Sequence, residues 1–163
     1  MGSTTSKEAP LEWRAPSHES PMNLLLIQGA NMEYLGIRQP ELYGTTTARE
    51  LDALLMTRAA ELGVELDIRY TNVEGEAISA IYAADRAGVD GILFNPAGFL
   101  HAGYGLRDCL RSIRCPALEI HMTNIEKRGY GSVTSQAAIG VIMGFGVESY
   151  LLALEAMARR PRP

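Results

Sequence analysis

Along this chain the period of hydrophobic positions switches back and forth between that of a strand and that of a helix. Asn23-Leu24-Leu25-Leu26-Ile27 is apolar on both faces, the pattern of a strand buried in a parallel sheet, and Gly29 ends it. From Ala48 to Leu62 the apolar positions Leu51, Leu54, Leu55, Ala59 and Leu62 recur near the helical period. Thr45-Thr46-Thr47 offers this helix an N-cap and Gly63 a stop. Val64 to Tyr70 alternates, with Val64, Leu66, Ile68 and Tyr70 on one face, so a second strand is expected, at a sheet edge. Glu74 to Ala87 returns to the helical period and stops at Gly88; Val89 to Phe94 is a third strand leading into the turn Asn95-Pro96-Ala97-Gly98. A helix over 104–113, a strand over Ala117 to His121, a β-branched strand over Ile139 to Met143 and a closing amphipathic helix from Val147 to Arg159 complete the pattern. Alternating β and α elements predict a three-layer α/β domain over residues 22–160, flavodoxin-like, with a five-stranded parallel sheet.

Two segments do not join this alternation. Residues 1–21 are rich in Ser, Thr, Pro and Glu and have no period, so a disordered extension is expected, with Trp13 on it. It lacks the apolar stretch and basic flank of a secretory signal. The other segment runs from Gln28 to Gly44 and carries Asn31, Arg38, Pro40 and Tyr43. Loops of that length are uncommon in compact domains unless they are lids, binding loops or disordered. This one leaves the carboxyl end of a strand, where open α/β sheets bind ligands.

Composition narrows the classes of partner. The 163 residues are 47% hydrophobic and 21% charged, ordinary for one globular domain. The formal charge of −4 provides no basic footprint, so no nucleic-acid partner is expected. No apolar run approaches the roughly 18 residues of a membrane span, so no membrane partner is expected either. Cys109 and Cys115 are the only cysteines, which favours a reduced, cytoplasmic setting over a disulfide framework.

The candidate chemistry gathers at the strand ends: Asn31, Arg38 and Tyr43 after the first, Asn95 and His101 after the third, Glu119 and His121 on the fourth. Of three histidines, His18 is in the extension, and both others fall beside the proposed cleft. His101 and His121 lack the close paired spacing of a metal site, and Glu119 is better suited to orient a histidine, so no metal is expected. Gly29-Ala30-Asn31-Met32-Glu33-Tyr34-Leu35-Gly36 is neither a Walker loop nor a dinucleotide fingerprint. Acid–base chemistry remains, because a tyrosine beside a cation can work as a base.

An ordered set of motifs resembles the type II 3-dehydroquinate dehydratases. It comprises Gly29-Ala-Asn31, Leu35-Gly36-x-Arg38-x-Pro40-Glu41-x-Tyr43-Gly44, Asn72-x-Glu74-Gly75-Glu76 and Asn95-Pro96-x-Gly98-x-x-His101. Leu106-Arg107-Asp108, Glu119-Ile120-His121-x-x-Asn124 and Gly140-Val141-Ile142-x-Gly144-x-Gly146 with Tyr150 continue it. The resemblance implies a flavodoxin-like subunit in a trimer or dodecamer, without cofactor or metal, that removes water from its small-molecule substrate by anti elimination through an enolate. It implies Tyr43 as the base, Arg38 favouring its ionised form, Asn31 holding a water at the enolate oxygen, and His121 as the acid with Glu119 behind it. It also implies Asn95 and His101 at the ring hydroxyls, the backbone N–H groups of Met122 and Thr123 at the carboxylate, and Asp108 reaching a neighbouring subunit's site.

The chain departs from the family in places. Ala30 replaces a proline, Glu33-Tyr34 replaces Asn-Leu, and Ala102 and Gly103 replace small hydroxyl residues. The loop 125–132 is about three residues shorter, with Arg128 matching the family's first arginine and no counterpart for the second. Weaker affinity for 3-dehydroquinate is therefore expected. The alternatives are a paralogue using the same base on another cyclic hydroxy-keto acid, or a binding module without turnover.

Overall fold

The computed structural model describes residues 20–162; residues 1–19, with Trp13 and most of the expected extension, lie outside the described residues. Five parallel strands are present: β1 (Met22–Ala30), β2 (Val64–Tyr70), β3 (Gly91–Ala97), β4 (Ala117–His121) and β5 (Gly140–Met143). Their order is β2-β1-β3-β4-β5, with β2 at an edge as its alternation predicts. Helices α1 (Pro40–Tyr43), α2 (Ala48–Leu62), α3 (Glu74–Ala87), α4 (Tyr104–Ser112) and α5 (Glu148–Ala158) connect or follow them. The α/β fold read from the hydrophobic pattern is present.

Period-two alternation divides the core between the two sheet faces. Leu24 and Leu26 of β1 pack with Leu51 and Leu55 of α2 and Tyr150 and Leu154 of α5. Leu25 and Ile27 point the other way, into Ile81 of α3, Phe94 of β3 and Leu106 of α4. Both faces of β1 are covered, which is why its sequence reads as one apolar run. Helix α2 starts where its sequence says it should: the Glu50 N–H donates to Thr47 Oγ1 at 3.2 Å and the Thr47 N–H donates to Glu50 Oε2 at 2.8 Å, a reciprocal capping box.

The boundaries differ from expectation where tertiary contact overrides local signals. β1 continues through Gly29 to Ala30 because it pairs with β3 as far as Ala97. A Cβ at Gly29 would collide with the Pro96 carbonyl oxygen and stand 2.8 Å from that of Asn95. Gly29 is thus a close-approach glycine inside a ladder rather than a strand terminator. β3 begins at Gly91 instead of Val89 and runs through Pro96 to Ala97. The loop after β1 is also less irregular than expected. Met32–Tyr34 form a 3₁₀ turn, and α1 is a single helical turn with Pro40 at its start, too short to print a period.

The chain passes from β1 to β2 on one side and then crosses to β3 on the other. The sheet therefore reverses its winding between β1 and β3, and a crevice opens beyond their carboxyl ends.

Far from that crevice, Asp85 of α3 accepts N–H bonds from Arg114 at 2.9 Å and Cys115 at 3.3 Å, tying the turn before β4 to α3. Burial acts to raise its pKa, but these donors and the Arg114 charge outweigh it and hold the carboxyl below its ordinary value. A lowered folded-state pKa contributes stability above the unfolded value of about 3.9, lost as pH falls through the folded value. Asp85→Asn is accordingly expected to lower the urea midpoint at neutral pH. The gap to wild type should narrow as pH falls below about 3.9; a gap independent of pH would assign the loss to packing.

Candidate active site

A cavity of about 170 Å³ occupies the crevice, lined by residues from three strand ends and both loops. Arg38 and Tyr43 come from the segment after β1, Asn95 and His101 from β3 and its following turn, and His121, Met122, Thr123, Arg128 and Tyr130 from β4 and the loop beyond. The polar residues gathered by sequence position at the strand ends thus share one space, Asn31 and Glu119 excepted.

Tyr43 is half-buried at the end of α1, between two guanidinium groups. The Arg38 guanidinium carbon lies over its ring, 5.0 Å from the centroid. Arg128 Nη1 donates to the phenol oxygen at 3.1 Å and to Thr123 Oγ1 at 3.1 Å. The guanidinium in hydrogen-bond contact with the phenol therefore belongs to Arg128, while Arg38 meets the ring face.

Opposite chemistry is built at β4. His121 is 4% exposed and Glu119 fully buried, with His121 Nε2 to Glu119 Oε1 at 2.6 Å. Thr134, also fully buried, donates its hydroxyl to the other carboxylate oxygen at 2.7 Å, and Ser132 Oγ lies 2.9 Å from Thr134 Oγ1. Thr134 has one hydroxyl proton, so Ser132 donates to Thr134 and Thr134 to Glu119. The two carboxylate oxygens of Glu119 thus meet His121 on one side and Thr134 on the other. The turn after β4 is fixed by its carbonyls: His121 O accepts from Gly144 N–H at 3.3 Å and Met122 O from Gly146 N–H at 2.8 Å.

Asn95 is held from beneath. Its Nδ2 donates to the Tyr150 hydroxyl at 2.7 Å, Tyr150 donates to Gln28 Oε1 at 2.7 Å, and Asn95 Oδ1 accepts the Ala97 N–H at 3.0 Å. Burial pushes the Tyr150 phenol above its ordinary pKa, so this second tyrosine remains a protonated donor. Asn31 stands at the end of β1 with a left-handed backbone, φ 70°, and its N–H donates to Asn72 Oδ1 at 2.7 Å. Neither Asn31 nor Glu119 lines the cavity itself. Asp108 is on α4, away from this cavity, with its exposed carboxylate paired to Arg107 at 3.1 Å. Among the described residues no group of three or more His, Cys, Asp or Glu side chains could hold a metal ion, and no helix is long and apolar enough to cross a membrane.

Sequence reading did not single out Thr134 or Gln28 as site residues; Tyr130 it offered only beside Lys127 and Arg128, as a residue that the shortened loop could bring inward. Thr134 and Gln28 act through partners 15 and 122 residues away, and no local pattern announces such contacts. Tyr130 had a usable signal: an aromatic in a shortened loop beside an arginine.

Known proteins resemble this chain over most of its length. The family described as Dehydroquinase class II matches residues 22–158. A 3-dehydroquinate dehydratase of Xanthomonas campestris pv. campestris is 44% identical over 141 residues, covering 85% of this chain and 95% of that one. The crystal structure of a type II dehydroquinase from Butyrivibrio crossotus superposes with a TM-score of 0.82 at 31% identity, covering 84% of this chain and 97% of that one. The type II dehydroquinase from Propionibacterium acnes gives 0.81 at 34% identity, covering 86% and 100%.

Proposed function

The chain belongs to the class II dehydroquinase family, and on that premise we propose that Tyr43 and His121 are the base and acid of its reaction. It is a 3-dehydroquinate dehydratase, a hydro-lyase. The Tyr43 phenolate takes the proton beside the substrate ketone, and the electron pair moves into an enolate. As the enolate collapses, the carbon–oxygen bond at the neighbouring carbon breaks. The departing hydroxide receives a proton from His121 and leaves as water, giving the conjugated enone 3-dehydroshikimate.

The observation that carries this reading is the 3.1 Å bond from Arg128 to the Tyr43 phenol, in a cavity that also holds His121 on its buried carboxylate. A base and an acid on different walls suit an anti elimination, which needs them on opposite faces of the ring. Arg38 adds a second positive charge at the Tyr43 ring. Asn31 is assigned the water that steadies the enolate oxygen, an oxyanion-type role. Met122 and Thr123 offer backbone N–H groups to the substrate carboxylate, and Asn95 and His101 contact the ring hydroxyls. The assay is purified protein with 3-dehydroquinate, read as growth of enone absorbance in the ultraviolet. Turnover unaffected by a chelator is expected. No turnover, or turnover lost on chelation and restored by a divalent ion, would overturn the reading.

Asp108 is assigned to a neighbouring subunit's site, in a homo-oligomer built on a multiple of three. Ile37 in the lid and Phe145 after β5 are 70% and 64% exposed, apolar surface of the kind that assembly covers. Light scattering at micromolar concentration is expected to give such a multiple. An active monomer would remove both the assembly and the role of Asp108.

A further inference from the structure

We propose that Tyr130 is a positioning residue of this site: its ring holds the Arg128 guanidinium against the Tyr43 phenol and braces the His101 wall of the cavity. The proposal rests on the reading of Tyr43 as the base.

Arg128 sits on a turn closed by backbone bonds from Arg128 N–H and Tyr130 N–H to Ile125 O, at 3.0 and 3.3 Å. Its long side chain has no carboxylate partner among the described residues, unlike Arg58, which pairs with Glu61 and Glu155, or Arg107, which pairs with Asp108. What holds it is the Thr123 hydroxyl, the Tyr43 phenol and the Tyr130 ring, whose centroid is 5.0 Å from the guanidinium carbon. The choice of an aromatic support has a physical consequence. A carboxylate would cancel the charge of Arg128, whereas a π face fixes a guanidinium and leaves its charge available to a phenolate.

The same ring meets a second wall. Tyr130 and His101 lie edge to face, centroids 5.1 Å apart and planes at 61°, so Tyr130 joins the loop after β4 to the turn after β3. Because the shortened loop presents one arginine to the cavity, the placement of that arginine depends on what packs against it.

The test is a double-mutant cycle with 3-dehydroquinate as substrate, with circular dichroism and light scattering to verify the fold and assembly of each variant. Tyr130→Leu is expected to lower kcat/KM about tenfold, the scale of a partly desolvated cation–π contact. Tyr130→Phe, which keeps the ring, should recover most of that loss, to within about threefold of wild type. In an Arg128→Met background, Tyr130→Leu should have little further effect, since the group it positions is gone. A Tyr130→Leu enzyme equal to wild type, a Phe variant as impaired as Leu, or a Leu effect that persists in full without Arg128 would each overturn the proposal. A Tyr43→Phe enzyme with wild-type turnover would instead overturn the assignment of the base, and this proposal with it.

Discussion

Tyr43→Phe is expected to lower kcat by about 10²- to 10⁴-fold, the range of general acid–base catalysis, while leaving the melting temperature near that of wild type. The substitution removes one oxygen and keeps the ring that packs from α1 onto the core. That oxygen accepts one hydrogen bond, from Arg128, whose guanidinium also bonds Thr123 and lies over Tyr130. Its loss therefore should not open the lid. Phenylalanine has no group to take a proton, and the buried tyrosine beneath Asn95 is unsuitable as a substitute. Tyr150 is fully buried, donates to Gln28 and is held protonated by burial. Steady-state kinetics beside a thermal melt separate the outcomes. A Phe variant keeping more than about a tenth of the activity would remove Tyr43 from the role of base.

The second large effect is expected at His121. His121→Asn can keep an N–H donor toward Glu119 but supplies no acidic proton, so kcat should fall by about 10²- to 10⁴-fold. Alanine is a poorer probe. It would leave the fully buried Glu119 Oε1 without the partner His121 provides, and an unsatisfied buried polar group costs about 1–3 kcal/mol, enough to confuse unfolding with lost chemistry. Behind the pair, Thr134→Val is nearly isosteric and deletes the 2.7 Å bond to Glu119 Oε2. A hydrogen bond to a charged group is worth about 1.5–3 kcal/mol, so a loss of roughly ten- to a hundredfold in kcat is expected if that bond holds the carboxylate for His121. KM should change little, because Thr134 does not line the cavity. Thr134→Ser, which retains the hydroxyl, should restore turnover; a Ser variant as slow as Val would make the methyl packing, not the hydrogen bond, responsible. An active His121→Asn enzyme would move the acid elsewhere.

What local sequence determined is the frame. The helices α2 and α3 and the strands β2 and β4 fall on the residues their periodicity and caps predict, because the signals that bound them lie within or next to their own spans: a capping box at Thr47, a terminal glycine at Gly63 or Gly88, an alternation on an edge strand. The candidates Tyr43, Arg38, His121, Asn95 and His101 were also legible, as polar residues placed where parallel strands end. Tertiary structure decided what those residues touch. It made Gly29 part of a ladder because β3 passes too close for a Cβ, and it turned Arg128 rather than Arg38 toward the phenol oxygen. It also put Thr134 behind Glu119 and Tyr130 between Arg128 and His101. All of these but the Tyr130–Arg128 contact join residues 15 to 85 positions apart. They depend on how the loops after β1 and β4 close over the sheet, and no local period or propensity encodes that closure.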